Sequence, residues 1–275
     1  MLSKQQREAF QQCGYVVLPN FFSHEEVAAL QAEAEQIVED FDESSSRSIF
    51  STFSSDTDQD SYFLYSDDKV RCFFEADAFD QQGGLRQDKA LSINKIGHAL
   101  HVLSPTFRAF STQAKIRHMM LDVGLTRPEI RQSMYIFKQP RIGGQIRWHQ
   151  DATYFKTDPL SVVTFWLAIQ PATIENGCLQ VDKRGDGLAL KEQFVRYADD
   201  HTELKLLHDE PWPNLDQALP LEVDAGSVVL MSGTLPHFSA ANRSNHSRHA
   251  FTLHVTSADT TYDPLNWLRA EAMPL

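Results

Sequence analysis

The residues best suited to chemistry lie in one short run, Trp148-His149-Gln150-Asp151, and at two outlying positions, His237 and Arg248. An H-x-D triplet is weak by itself, because a chain of 275 residues with 11 histidines yields about one by chance. Spacing makes it stronger. Residues two apart in extended chain point to the same side, so His149 and Asp151 present an imidazole and a carboxylate together. His237 lies 86 residues after Asp151, just past the apolar run 227–232. Two histidines and one carboxylate can form a facial set around a divalent metal that leaves three coordination positions open. Arg248 stands eleven residues beyond His237, and a guanidinium is a planar, two-pronged donor to a carboxylate. An open metal beside a carboxylate clamp suits a chelating keto-acid, with its 1-carboxylate and 2-oxo group on the metal and its far carboxylate on the arginine. A zinc hydrolase can use the same two-His-one-Asp set, and a metal-binding module without turnover would carry the same residues. Neither needs Arg248 at that spacing.

The elements that must position these residues fall into two halves. Strand-like runs dominate the second: 133–139, 160–171, 178–181, 227–232 and 249–256. Turn signals separate them at Gly143-Gly144, Glu175-Asn176-Gly177 and Asp224-Ala225-Gly226. This spacing predicts an antiparallel sandwich or barrel. The first half reads as mostly helical. A segment opened by Ser3 stops near Gly14, and residues 15–18 look like a short strand. Ser23 and Glu26 form a capping box before a helix striped with Val27, Leu30, Ala34, Ile37 and Val38. Runs 62–66 and 70–79 read as a strand pair, and 93–110 as helix, which would put His98 and His101 on one helix. The Ser- and Asp-rich stretch 44–61 reads as a surface loop; its Asp56, Asp58 and Asp60 lack the glycine and distal glutamate of a calcium loop. Residues 183–221 form a long polar insert, expected at a rim or lid, with 190–198 helical. The whole is expected to be one domain over 1–275, with a helical part over about 1–125, a β-core over about 130–260 and the insert over about 183–221.

H-x-D, the distal histidine and the arginine at +11 resemble the Fe(II)/2-oxoglutarate dioxygenases, in particular the phytanoyl-CoA dioxygenase family and, within it, the domain-containing protein 1 type. Longer strings carry the likeness further: SINKIGHALH (92–101), QSMYIFKQP (132–140), the segment 143–152 ending in HQDA, ENGCL (175–179) and PLNWL (264–268). The resemblance runs from about Phe10 to Trp267. It implies a double-stranded β-helix, or jelly roll, flanked by helices. It implies iron ligands His149, Asp151 and His237, with Arg248 as the partner of the distal 2-oxoglutarate carboxylate. Lys95, Met134, Trp166 and Ser239 match further cosubstrate-contact positions, and Gln150, between two ligands, is expected to line the pocket. Fe(II), 2-oxoglutarate and O2 are the implied cofactor and cosubstrates. The implied reaction oxidises a C–H bond of a small molecule and releases succinate and CO2.

Composition narrows the partners. A net charge of −12 repels polyanions and anionic membrane, so nucleic acid and membrane are not expected. The three cysteines, Cys13, Cys72 and Cys178, contain no CxxC, which favours reduced thiols and a cytoplasmic protein. No run of 18 apolar residues is present to span a bilayer. The chain departs from the family after ENGCL: residues 180–187 lack the usual P-G-S-H turn on the substrate side. Nothing specifies a CoA-binding surface. Lys183, Arg184 and Lys191 either meet an anionic substrate there or are solvated surface charges. Trp148, Phe155 and Phe238 are expected to form an apolar rim that excludes water.

Overall fold

The structure is a computed structural model that describes residues 1–50, 61–185 and 187–275. Its helices are α1 (Lys4–Cys13), α2 (His24–Asp40), α3 (Ser61–Leu64), α4 (Leu100–Leu103), α5 (Pro105–Ser111) and α6 (Ala114–Asp122). Its strands are β1 (Tyr15–Leu18), β2 (Val70–Phe74), β3 (Ile93–His98), β4 (Pro128–Ile136), β5 (Ile146–His149), β6 (Thr157–Asp158), β7 (Val163–Ala168), β8 (Leu179–Asp182), β9 (Glu192–Arg196), β10 (Thr202–Leu206), β11 (Ala218–Leu221), β12 (Val228–Ser232), β13 (His237–Ser239), β14 (Ala250–Ser257), β15 (Thr261–Tyr262) and β16 (Met273–Pro274). No helix among the described residues is long and apolar enough to cross a membrane.

The major sheet runs β1-β12-β7-β14-β4-β3-β2, with β16 added on β4. The minor sheet runs β11-β8-β13-β5. Together they make the double-stranded β-helix. The alternation along the central strands explains the layering. On β14, Phe251, Leu253 and Val255 pack with Phe22, Leu30, Phe107 and Phe110 of the helical layer. The intervening Ala250 joins Trp166, Val181 and Met231 between the sheets, and Thr252 and His254 line a cavity there. Strand β7 divides the same way: Phe165 and Leu167 face the helices, Thr164 and Trp166 the cavity. Both faces of these strands are covered, so their runs are almost continuously apolar.

The helix ends follow local chemistry. Gly14 ends α1 at φ 75°, a left-handed conformation that costs glycine little. The Ser23–Glu26 capping box is formed, with the Glu26 amide donating to Ser23 Oγ at 3.2 Å and the Ser23 amide to Glu26 Oε2 at 3.0 Å.

Three segments differ from the sequence reading. Residues 93–98 are strand β3, all six buried, and the helices begin only at Leu100. A strand buried on both faces carries no period-2 signal, so a short apolar run there passes for helix. His98 therefore sits on a strand and only His101 on a helix. Residues 61–64 are helix α3 rather than strand. Residues 192–196 are strand β9, hairpinned to β10, and not helix. Arg196 is consequently 3% exposed, with its guanidinium donating to Leu64 O at 2.6 Å and to Asp200 Oδ1 at 2.8 Å. The insert is not all rim: β11, at its end, pairs with β8 inside the minor sheet. The stretch 51–60, with Asp56, Asp58 and Asp60, lies outside the described residues.

Candidate metal centre and cosubstrate cavity

His149 ends β5, Asp151 opens a 3-10 turn two residues later, and His237 starts β13, directly opposite His149 in the ladder. The two imidazole centroids are 4.2 Å apart. Nε2 of His149 and of His237 lie 3.6 and 3.7 Å from Asp151 Oδ1. One ligand atom from each of the three residues falls within 4.8 Å of the others. Proton positions follow from the second ring nitrogens. His149 Nδ1 meets Arg147 O at 2.8 Å and His237 Nδ1 meets Leu235 O at 3.0 Å. A carbonyl can only accept, so each Nδ1 carries the hydrogen and each Nε2 turns a lone pair toward the centre. Thr164 Oγ1 donates to Asp151 Oδ2, which leaves Oδ1 facing the histidines. Burial would raise the Asp151 pKa, but the neighbouring histidines, His237 first and then His149 and His254, hold it well below the ordinary value. Burial, reinforced by neighbouring His149, pushes His237 down to about 4, so it is a neutral donor at pH 7. Two imidazoles and one carboxylate oxygen, each fixed from behind, fit a divalent iron.

The cavity runs along the inner face of the major sheet. Register sets its order: Thr164, His254 and Gln132 form one row, and Trp166, Thr252 and Met134 the next. Ile136 lies opposite Ala250 and Lys95 in the third. Lys138 and Arg248, two residues further along, close the far end. Asp151 meets the first row through Thr164 and His254. Arg248 is 2% exposed; its Nε donates to Gly177 O at 3.2 Å and its Nη2 to Ser239 Oγ at 3.3 Å. Nη1 is buried with no partner among the described residues, and a charged donor left unsatisfied indoors is costly. A carboxylate arriving from the metal would satisfy it. Burial lowers Arg248 to about 10, still charged at pH 7, and lowers Lys95 to about 7, with Glu75 partly offsetting. The empty space here, counted together with the open solvent at its mouth, is about 1090 Å³.

His149, Asp151, His237, Arg248, Lys95, Met134, Trp166 and Ser239 all line this cavity. Gln150 does not, which corrects the expectation that it lines the pocket. It faces the other way, as alternation requires. Its amide donates to Ala189 O at 3.1 Å and Thr234 O at 2.7 Å and accepts from the Lys191 amide at 2.8 Å. Lys183, Arg184 and Lys191 are also absent from the lining. Arg184 pairs with buried Asp182 at 2.7 Å, Lys183 Nζ donates to Asp216 O at 2.8 Å, and Lys191 Nζ donates to His208 O at 3.3 Å. They are surface charges. Phe155 and Phe238 line the cavity, while Trp148 packs against Phe238 at 4.5 Å. Sequence reasoning missed Thr164, Gln132 and Lys138 in the lining. The signal existed, since Thr164 and Gln132 lie two residues before the named Trp166 and Met134, and Lys138 two residues after the inward Ile136.

The family profile of phytanoyl-CoA dioxygenase (PhyH) matches residues 10–250. A phytanoyl-CoA dioxygenase of Arabidopsis thaliana is 38% identical over 99% of this chain and 95% of its own length. The phytanoyl-CoA dioxygenase domain-containing protein 1 homolog of Caenorhabditis elegans is 39% identical over 96% of this chain and 94% of its own. Among solved structures, EctD from S. alaskensis with 2-oxoglutarate and 5-hydroxyectoine superposes with a TM-score of 0.63 at 19% identity, covering all of this chain and 86% of the other. The chain belongs to the phytanoyl-CoA dioxygenase family. It is thereby a non-haem iron, 2-oxoglutarate-dependent dioxygenase, with Fe(II) as cofactor and 2-oxoglutarate and O2 as cosubstrates.

Proposed function

We propose that this enzyme oxidises a C–H bond of a small-molecule substrate, with His149, Asp151 and His237 holding the iron and Arg248 the far carboxylate of 2-oxoglutarate. One observation carries the reading: two Nε2 lone pairs and one carboxylate oxygen converge at one end of a cavity whose other end holds an unsatisfied guanidinium Nη1. Bound iron would supply the activation of O2 that couples decarboxylation of the keto-acid to C–H oxidation. The chain supplies the rest. The carbonyls of Arg147 and Leu235 fix both imidazole tautomers. Thr164 holds Asp151 Oδ2, which leaves Oδ1 as the oxygen that would serve a metal. Gly177 O and Ser239 orient the Arg248 guanidinium, and Lys95, Met134 and Trp166, which line the cavity, would flank the keto-acid chain. Phe155 and Phe238 shield the reacting end from water.

The rest of the reading is proposed on the same footing. The chain acts as one domain, supported by β1, β2 and β3 of the N-terminal part lying in the same sheet as β14. Its place is the cytoplasm, supported by three cysteines outside any disulfide. Its partner is a small molecule rather than nucleic acid or membrane, supported by the net charge of −12. The test is succinate release from 2-oxoglutarate with Fe(II) in air, without added substrate. Slow succinate formation that stops under nitrogen and is absent from Asp151→Ala is expected. Zinc-dependent hydrolysis of an ester panel without succinate would establish a hydrolase instead, and metal and 2-oxoglutarate binding without succinate a binding module.

A further inference from the structure

Two cationic side chains close the far end of the cavity, and the sequence reading named only Arg248. Lys138 also lines the cavity and is nearly inaccessible, at 3% exposure. The pair is built across the ladder. Two residues beyond the last paired position, Ala250 opposite Ile136, the Arg248 amide donates to Lys138 O at 3.2 Å. The same carbonyl accepts from Asn242 Nδ2 at 3.0 Å. Lys138 sits at φ 38°, a left-handed backbone that a long side chain keeps only where its surroundings hold it. Its side chain is held too. Nζ donates to Gly144 O at 2.8 Å. The stem runs past Gly177, where an added Cβ would lie 2.3 Å from Lys138 Cε and 2.5 Å from Ala240 O. Gly177 stands at φ 80°, and its carbonyl accepts from both Arg248 Nε and Ser239 Oγ. One glycine therefore packs on the first cation and aims the second.

Charge gives the arrangement its meaning. Like charges set opposite each other on a sheet repel, and taking either into the interior is costly without an anion. The hydrogen bonds of the two side chains go to carbonyls and a hydroxyl, and neither forms an ion pair among the described residues. Burial first, then the charge of Arg248, hold the Lys138 ammonium well below its ordinary pKa, with Glu75 opposing. The Glu75 carboxylate is itself fixed in place. It accepts from Asn94 Nδ2 at 2.8 Å and from the Gly144 and Gln139 amides at 3.2 and 3.4 Å. Two cations against one resident carboxylate leave room for another negative charge, before Lys95 in the adjoining row is counted.

We propose that Lys138 is a specificity-determining residue of the cosubstrate seat: together with Arg248 it makes this end of the cavity select a keto-acid that bears a second carboxylate. This rests on the functional reading above, in which the far carboxylate of 2-oxoglutarate reaches Arg248, and adds a residue to it. Arg248 supplies the planar donor edge, and Lys138 supplies the charge beside it.

The test is calorimetric titration of Mn(II)-loaded protein with 2-oxoglutarate and with 2-oxopentanoate, which has no distal carboxylate. Wild type should prefer 2-oxoglutarate by about 100-fold or more. Lys138→Met keeps an unbranched stem beside Gly177 and loses the charge. Its preference should fall by about tenfold or more, the lower end of what one hydrogen bond to a charged group contributes. Its affinity for 2-oxopentanoate should stay within about threefold of wild type. Lys138→Gln keeps an N–H donor without the charge and should show the same loss; it decides the matter if Lys138→Met fails to fold. A lysine that only supports the fold would weaken both keto-acids alike and leave their ratio unchanged. The proposal is overturned by that result, or by a smaller fall in the ratio in either folded variant. A wild type that shows no preference strikes the assignment of the far carboxylate to this end, and this proposal with it. A wild-type preference that survives in the variants strikes this proposal alone.

Discussion

Removing the Arg248 guanidinium should cost cosubstrate affinity while sparing the metal. In Arg248→Met the aliphatic stem remains against Trp166, over whose ring the guanidinium carbon sits at 5.5 Å. The lost donors are Nη1, which is unsatisfied, and Nη2, whose bond to Ser239 is long at 3.3 Å. Both are therefore available to a carboxylate. A hydrogen bond to a charged group is worth about 1.5–3 kcal/mol, so two give about 3–6 kcal/mol. The remaining cations Lys95 and Lys138 will recover part of that, and about 3 kcal/mol is expected, roughly 150-fold in Kd. The assay is calorimetric titration of Mn(II)-loaded protein with 2-oxoglutarate and with 2-oxopentanoate, which lacks the distal carboxylate. Wild type should prefer 2-oxoglutarate by about 100-fold or more, and the variant by less than about tenfold. The two proteins and two ligands make a thermodynamic cycle that isolates the carboxylate–guanidinium pair from changes in packing. Mn(II) affinity should stay within about threefold. If 2-oxoglutarate affinity also stays within threefold, the clamp assignment is wrong and Lys95 is the next residue to replace.

Other perturbations follow the same logic. Asp151→Ala removes the one carboxylate of the centre and should abolish succinate formation with an unchanged circular dichroism spectrum; full turnover would sink the ligand assignment. Thr164→Val strips the hydroxyl that holds Asp151 Oδ2 and should weaken Mn(II) binding by about 10–100-fold, while Thr164→Ser should restore it. Equal affinity in both variants would show that the carboxylate needs no such support. Burial lowers the buried His101 to about 4; burial, and then the charge of Arg248, lowers His249 to about 3. Both folded values lie below the ordinary 6.5, so the unfolded chain takes up protons first as pH falls. Their stability contribution is complete above about pH 6.5 and shrinks below it, by about 2 kcal/mol each at pH 5. Urea midpoints between pH 7 and 5 should fall, and fall less in His101→Gln; identical slopes would refute the linkage.

The parts of the fold that were legible in the sequence are those with a one-sided environment. Helix α2 buries one stripe and exposes the other, so its period and its Ser23–Glu26 cap were both visible. Strands β7, β12 and β14 are too long, too β-branched and too clearly bounded by turns to mistake. Two of the three misread segments share one cause. Residues 93–98 are buried on both faces, and 192–196 are buried but for Phe194, so neither shows the alternation that marks a strand. Their burial comes from partners distant in sequence, β4 for one and β10 with residues 265–267 for the other, which no local window contains.

The candidate site shows the same division. His149 and Asp151 could be paired from spacing because extended chain returns side chains to one face every second residue. That rule also excludes Gln150, and the structure enforces it: the glutamine ties Ala189, Lys191 and Thr234 together behind the ligands. Proximity in sequence to two ligands was a poorer guide than periodicity. Applied consistently, the period extends the named positions to Gln132, Thr164 and His254, the row that meets Asp151. It could not reach His98, which lines the cavity from β3 and meets Ser66 Oγ, 32 residues away, at 2.7 Å. The metal end is thus written mostly in local spacing, and the part of the cavity around His98 in contacts made only by the folded chain. Along 180–185 the division recurs: Arg184 pairs with Asp182, two residues away, whereas Lys183 Nζ donates to Asp216 O, a partner no local window contains.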